Sequence, residues 1–287
     1  VVASEGPTDS LLAWYKFDTT NDITHDYSDN SKTLTVNGTG PTQNTSTYRR
    51  GDASIEFVQP NNTLSLLTNT TYFIPSILSI SIWVNIGDTG ASPASYMHII
   101  QTSYYGYGGW AMAITDSGTL SLWTYAGGPY TNRDTGIILA NTSVWKHLVW
   151  VIDDNTNTGK LYVDGVLHNT YTHTSYNNTS IAPLNIGQYA TTNPINTPSY
   201  IDDVRLYNRE LTAEEVTEIY NATDIIQNTE ENTSNMNPIP LYPLETPIIP
   251  IEYPTRSLST GTKTGTTWSS PATDDTYIIK WSKSGTA

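Results

Sequence analysis

Tyr200-Ile201-Asp202-Asp203-Val204-Arg205-Leu206-Tyr207-Asn208-Arg209-Glu210-Leu211-Thr212-Ala213-Glu214-Glu215-Val216 is the stretch that decides the fold of this chain. It reads as a β-strand, a short turn and a capped helix. Thr212 and Glu215 stand three apart, as a capping box requires, and Leu211 with Val216 fits the hydrophobic staple that fixes how a chain enters a helix. Val216, Ile219 and Tyr220 then supply one short apolar helical face. Within the strand, Asp202 shares parity with Val204 and Leu206, which predicts an inward-pointing carboxylate if those two face the core.

Upstream of this segment, strand signals recur between polar turns. Leu11–Asp18 alternates and runs into an Asn/Asp/Ser-rich loop ending at Lys32, and Ser54–Val58 carries Ile55 and Phe57 on one side. Ser79–Ile86 places Ile80, Ile82, Val84 and Ile86 on one face, a clean period of two. Trp110–Thr115 and Thr119–Tyr125 flank the three-residue loop Asp116-Ser117-Gly118. Val144–Ile152 is apolar on both faces, as a central strand should be. Lys160–Val163 and Val166–Tyr171 flank Asp164-Gly165, a type I′ hairpin signal. Many short strands with regular turns and one terminal helix predict an all-β, two-sheet antiparallel sandwich.

In order, Ala13–Asp18, Ser79–Val84, Trp145–Val149, Gly159–Gly165, Pro183–Gly187 and the opening segment resemble the landmarks of laminin-G-like jelly-roll domains, which share the concanavalin A-like lectin/glucanase sandwich. The resemblance covers nearly all of residues 9–222. It implies a jelly-roll domain over 1–222 with one short C-terminal helix, and a binding or assembly role before any chemistry.

Composition narrows the partners. Net charge is −14 with 13 basic residues, and nucleic-acid affinity depends on Lys and Arg neutralising phosphates. DNA, RNA and anionic membranes are therefore poor partners. No apolar run approaches the roughly 20 residues needed to span a bilayer, which predicts a soluble protein without membrane insertion. With no Cys, disulfides cannot contribute. A first residue of Val rather than Met and a mild excess of Asn-X-Ser/Thr sequons predict a secreted or cell-surface glycoprotein. The sequons are Asn37, Asn44, Asn61, Asn69, Asn141, Asn177, Asn178, Asn221 and Asn232.

Residues 223–287 lie outside the resemblance. A polar spacer gives way to Pro238, Pro240, Pro243, Pro247, Pro250 and Pro254, a connector over 223–256 whose spacing favours extended polyproline II. Apolar residues such as Ile239, Leu241, Ile248 and Tyr253 are interleaved with these prolines and call for a surface to cover them. The Thr/Ser/Gly-rich segment 257–287 offers a lone strand near 276–281, with Tyr277, Ile279 and Trp281 on one side, which must pair with a sheet edge. That edge belongs either to the same molecule or to a neighbour.

Candidate chemistry is sparse. Glucanases need two carboxylates roughly 5–10 Å apart, and no Asp/Glu pair stands at i, i+2 anywhere in the chain. The five His residues show no metal-site spacing, and His147, alternating in a strand with Trp145 and Val149, reads as a hydrogen-bonded core residue. Gly106-Tyr107-Gly108-Gly109 reads as loop punctuation, not a phosphate loop. Asp202, with Asp26 and Asn30 from the loop after the first strand, either organises turns through backbone N–H groups, the favoured reading, or supplies hard oxygens to the structural calcium that the family resemblance admits. No other cofactor is implied. Tyr104, Tyr105 and Tyr107, with Tyr125 and Tyr130 in the next loop, form the densest aromatic group and suit protein contact or stacking on sugar C–H faces. Trp110, at a family strand position, reads as core.

Three functions fit. The first is a non-catalytic extracellular protein of adhesion or assembly, whose C-terminal extension adds a strand to a neighbouring subunit in a filament or surface layer. The second is a monomeric carbohydrate-binding module, and the third, least supported, is a glycoside hydrolase.

Overall fold

The computed structural model describes residues 5–222 except 20, 38–39, 58–62, 67–70, 88–96, 103–107, 127–129, 174, 177–182 and 188–198, and adds 263–264 and 267–268. The chain divides into two compact units, Val1–Asn228 and Thr229–Ala287. In the first, the strands in chain order are β1 (Leu11–Tyr15), β2 (Thr35–Asn37), β3 (Thr42–Asn44), β4 (Ser54–Phe57) and β5 (Thr63–Leu66). They continue with β6 (Ile77–Asn85), β7 (Met97–Gln101), β8 (Gly108–Ile114), β9 (Thr119–Ala126) and β10 (Tyr130–Ile138). The last are β11 (Lys146–Asp153), β12 (Thr158–Val163), β13 (Val166–Thr172), β14 (Leu184–Gly187) and β15 (Ser199–Tyr207), followed by helix α1 (Ala213–Asn221).

Two antiparallel sheets result. Sheet I runs β13-β12-β11-β6-β15-β4-β3, with β1 also pairing with β15, and sheet II runs β10-β9-β8-β7-β14-β5-β2. The period-two pattern of β6 sends Ile80, Ile82 and Val84 between the sheets. There they join Leu148, Trp150 and Ile152 of β11 and meet Trp110, Met112 and Ile114 of β8. Trp110 is fully buried, as its strand position predicts, and its indole donates to Phe73 O at 2.8 Å. Its ring stands edge-on to Trp150 at 6.4 Å, a favoured aromatic geometry.

A second, smaller core covers the other face of sheet I. Val149, Val151, Tyr162 and Tyr207 are roofed there by Leu211, Val216 and Ile219 of the helical segment. This is why β11 is apolar on both faces. The capping box forms as the sequence predicts: Glu215 N–H donates to Thr212 Oγ1 at 3.2 Å and Thr212 N–H donates to Glu215 Oε2 at 2.8 Å. Leu211 and Val216 are both fully buried, completing the staple. The Asp164-Gly165 turn has both φ values positive, 50° and 82°, the I′ conformation.

Several expectations need correcting. The first strand ends at Tyr15 rather than Asp18, and Phe17 takes a left-handed φ of 64° that turns the chain. The central strand starts at Lys146, leaving Val144 53% exposed. Gly108 and Gly109 belong to β8 rather than to a loop: at Gly109, with φ 130°, an added Cβ would lie 2.9 Å from Thr102 O, a space only glycine fits. Strand parity in β15 is broken by a bulge at Asp202-Asp203, where Asp203 takes a φ of 45°. Ile201 and Val204 therefore both join the inter-sheet core, while Asp202, paired with Trp83, lies on the helix-covered face instead of sharing the face of Val204.

In the second unit, Lys263–Thr264 pairs with Thr267–Trp268, a short ladder absent from the sequence expectation. The Pro-rich connector and the strand expected near 276–281, with Tyr277, Ile279 and Trp281, lie outside the described residues.

Candidate functional site

Sheet II turns one face toward sheet I and the other away from it. Along β9, Leu120 and Leu122 point into the core, so alternation sends Ser121, Trp123 and Tyr125 to the far face. Edge strand β10 places Tyr130 opposite Tyr125, Asn132 opposite Trp123 and Asp134 opposite Ser121. Directly opposed residues share a face, and the three aromatic rings gather into one cluster. Trp123 lies 5.7 Å from Tyr125 with planes 9° apart and 5.3 Å from Tyr130 with planes 29° apart, and Tyr125 lies 6.1 Å from Tyr130. Tyr130 is 59% exposed, whereas Trp123 and Tyr125 are half-buried. Ser121 Oγ donates to Asn132 Oδ1, and the exposed Asp134 accepts Gly136 N–H at 2.9 Å. The cluster thus offers an open ring beside a polar row on one edge, the mix of apolar platform and orienting groups that sugar sites use.

Tyr125 and Tyr130 are brought together, on paired strands rather than in one loop, while Tyr104, Tyr105 and Tyr107 lie outside the described residues. Trp123 was not anticipated, although its i, i+2 spacing from Tyr125, opposite in phase to Leu120 and Leu122, carried the signal. Asn132 and Asp134 were missed because the polar run Thr131–Gly136 does not read as a strand; only an edge position, exposed on alternate residues, accommodates it.

The carboxylates raised as calcium ligands do not converge. Asp26 accepts Trp14 N–H and Ser28 N–H through Oδ1, and Ser28 Oγ–H and Lys32 N–H through Oδ2, at 2.7–2.9 Å. Asn30 donates to Leu11 O at 2.7 Å. Asp202 Oδ2 accepts Arg49 N–H and Arg50 N–H at 2.7 and 2.8 Å, the turn-organising role expected of it. Burial pushes the Asp202 carboxyl well above the usual range despite those two donors. Protein N–H and O–H groups thus occupy both oxygens of Asp26 and Oδ2 of Asp202, where a cation would have to sit, while Asp202 Oδ1 is buried without a hydrogen-bond partner. Among the described residues, no three His, Asp or Glu side chains are grouped to hold a metal.

Next to Asp202, Asp203 forms a buried ion pair with Arg205, Nε to Oδ1 and Nη2 to Oδ2 both at 2.9 Å, and accepts the Trp14 indole N–H at 2.6 Å. Burial raises its pKa, but Arg205 and Trp14 outweigh burial and hold the group below its ordinary value. The Arg205 guanidinium lies 4.2 Å from the Trp14 ring centroid and Lys16 Nζ 4.1 Å from it. His147 is fully buried, within 2.8 Å of Ser81 Oγ through Nε2, and lies against Trp83 and Tyr220. This confirms it as a hydrogen-bonded core residue, though beneath the helix rather than between the sheets. All these groups are tied into the fold.

The sequons are presented unequally. Asn141, at a left-handed turn, and Asn221, the last residue of α1, are exposed; Asn37 is half-buried on β2. Asn44 uses its amide on Glu56, Ser46 N–H and Thr47 N–H. Asn61, Asn69, Asn177, Asn178 and Asn232 lie outside the described residues.

A family model described as the concanavalin A-like lectin/glucanases superfamily, of the laminin-G type, matches residues 60–217, more than half of the 287-residue chain. The chain belongs to that superfamily. The match runs from just before β5 into helix α1 and so includes the whole aromatic cluster. No curated protein matches this lectin-fold chain by sequence. Among solved structures, it is similar to the binding domain of Paraclostridial Mosquitocidal Protein 1, with a TM-score of 0.61 and 17% identity over 75% of this chain and 52% of that one. It is also similar to the binding domain of Botulinum Neurotoxin DC, in one structure in complex with SialylT (TM-score 0.59, 15% identity, 76% and 52% covered). A second structure holds that domain with rat synaptotagmin II (TM-score 0.57, 14% identity, 76% and 52% covered). At these identities the likeness establishes the fold, and the chain spans about half the length of those domains. Among the described residues, no helix is long and apolar enough to cross a membrane.

Proposed function

We propose that this lectin-fold domain is a non-catalytic, extracellular recognition module that binds glycans on the far face of sheet II. The observation that carries the reading is the cluster of Trp123, Tyr125 and Tyr130, with one ring open to solvent and Asn132 and Asp134 beside it. A pyranose presents a C–H face to such a ring and hydroxyls to the polar row. The similar binding domain in complex with SialylT and with rat synaptotagmin II lends support to recognition as the task. The buried acids Asp26, Asp202 and Asp203 are held by protein donors, which favours binding over hydrolysis. A positive reducing-sugar assay on β-glucans would overturn that part of the reading.

A glycan array followed by calorimetry on the best hit tests the proposal. Tyr130→Ala, at an exposed position, should leave the melting curve unchanged and weaken binding up to about tenfold, the equivalent of one good aromatic contact. Equal affinity in both proteins sinks it.

The wider reading of adhesion and assembly through residues 238–287 is favoured by their interleaved apolar and proline residues. Deleting 238–287 and comparing native mass tests it: an unchanged oligomeric state rejects a strand donated to a neighbour.

A further inference from the structure

The charge of the glycan is legible in the distribution of basic residues. Between Gly51 and Trp145, a span holding five of the seven strands of sheet II, β5 and β7 through β10, Arg133 is the sole Lys or Arg. Residues 161–204, which include β14 and both segments flanking it, contain none. Arg133 alternates with Asn132 and Asp134 and so points to the opposite side of the strand, where its guanidinium lies 4.9 Å from the centroid of the buried Tyr171 ring.

The remaining basic residues before residue 223 belong to sheet I, its loops or the segment leading to β2, and each is already engaged. Lys16 pairs with Glu5, Lys146 with Asp164, Lys160 with Glu210, and Arg209 with Glu215 and Asp9. Arg205 is held by Asp203, and Arg50 donates to Tyr220 O. Lys32 lies over the Tyr72 ring and Arg49 over Trp83. The charge that does share the far face with the aromatic cluster is negative: Asp134, exposed on the edge strand.

We infer that the aromatic site on sheet II takes uncharged glycans and rejects those bearing sialic acid, uronic acid or sulfate. This rests on the glycan-binding reading above and adds its selectivity. An anionic sugar placed on Tyr130 meets no Lys or Arg of β5, β7–β9, β14 or their connections, faces away from Arg133 of β10, and meets Asp134 in a chain of net charge −14. Charged ligands are recognised by fixed opposite charges or by charge-assisted hydrogen bonds, and like-charge juxtaposition opposes binding. Neutral sugars need only the ring faces and the amide and hydroxyl groups already present.

The test titrates the intact chain with a panel of neutral oligosaccharides and with the same cores carrying terminal sialic acid or sulfate. Neutral cores are expected to bind at least tenfold tighter than their acidic counterparts, with an affinity that changes little between 50 and 500 mM salt. Asp134→Lys, an exposed substitution, should raise affinity for the acidic ligands relative to their neutral cores about fivefold at low salt, as a nearby unit charge in water allows, and that relative gain should fade at 500 mM salt. Acidic ligands binding as tightly as neutral ones, with Tyr130→Ala still weakening both, would overturn the selectivity while leaving glycan binding intact. Silence from the whole panel would remove both.

Discussion

His147 is expected to make the stability of this domain fall in mild acid. The imidazole is fully buried on sheet I between Trp83 and Tyr220, within 2.8 Å of Ser81 Oγ. Burial depresses its pKa to about 3; Asp203 pulls it up, and Arg205, Arg50 and Arg49 push it down. In the unfolded chain the ring titrates near 6.5. Below that pH the unfolded state takes a proton that the folded state refuses, so stability is lost as pH falls. Integrating between pH 7.5 and 4.5 gives a loss of about 2.6 kcal/mol from this one group, at a limiting slope of about 1.4 kcal/mol per pH unit. That is a large part of the roughly 5–15 kcal/mol by which domains are stable. His147→Phe removes the titration and keeps a ring against Trp83 and Tyr220. It also leaves the Ser81 hydroxyl without its partner, a cost of about 1–3 kcal/mol that does not depend on pH. The informative quantity is therefore slope, not level. Urea unfolding followed by Trp fluorescence at pH 7.5, 6.5, 5.5 and 4.5 should give stabilities that converge as pH falls, since Asp202, Asp203 and the other acids are common to both proteins. Parallel curves would refute the reasoning.

Other expected outcomes follow from single contacts. Asp203→Ala strands the buried Arg205 guanidinium and should cost about 3–5 kcal/mol in denaturant melts; a loss below 1 kcal/mol would show that water reaches the pair. Thr212→Ala removes the helix cap and should cost about 1 kcal/mol by the same assay. Gly187→Ala combines a φ of 88° with a Cβ placed 2.2 Å from the Phe57 ring, and should lose about 3 kcal/mol or fail to fold. Trp123→Phe should keep the fold and weaken glycan binding less than Trp123→Ala, by calorimetry, if ring stacking is what the site supplies.

Much of the fold was readable from short-range patterns. The alternation of Ile80, Ile82 and Val84, the Asp164-Gly165 turn and the Thr212/Glu215 cap are each local rules, and each is realised in place. What escaped was set by neighbours. β10 is a polar strand that exists because β9 offers it an edge, and β2, β3, β5 and β7 are short or irregular strands held by their partners. Two of the three clustered rings, Tyr125 and Tyr130, were legible; Trp123, Asn132 and Asp134 required the cross-strand register.

By itself the sequence determined the sandwich, its capped helix, the acidic balance and the near absence of basic residues over 51–145, because periodicity, turn chemistry and charge are properties of the chain in order. Tertiary structure alone decided that Asp202 lies on the helix side of its sheet, since one extra residue in a bulge reverses parity and leaves no mark on composition. It alone decided that Trp123, Tyr125 and Tyr130 share a face, because opposition across a hairpin depends on hydrogen-bond register, which distant packing fixes.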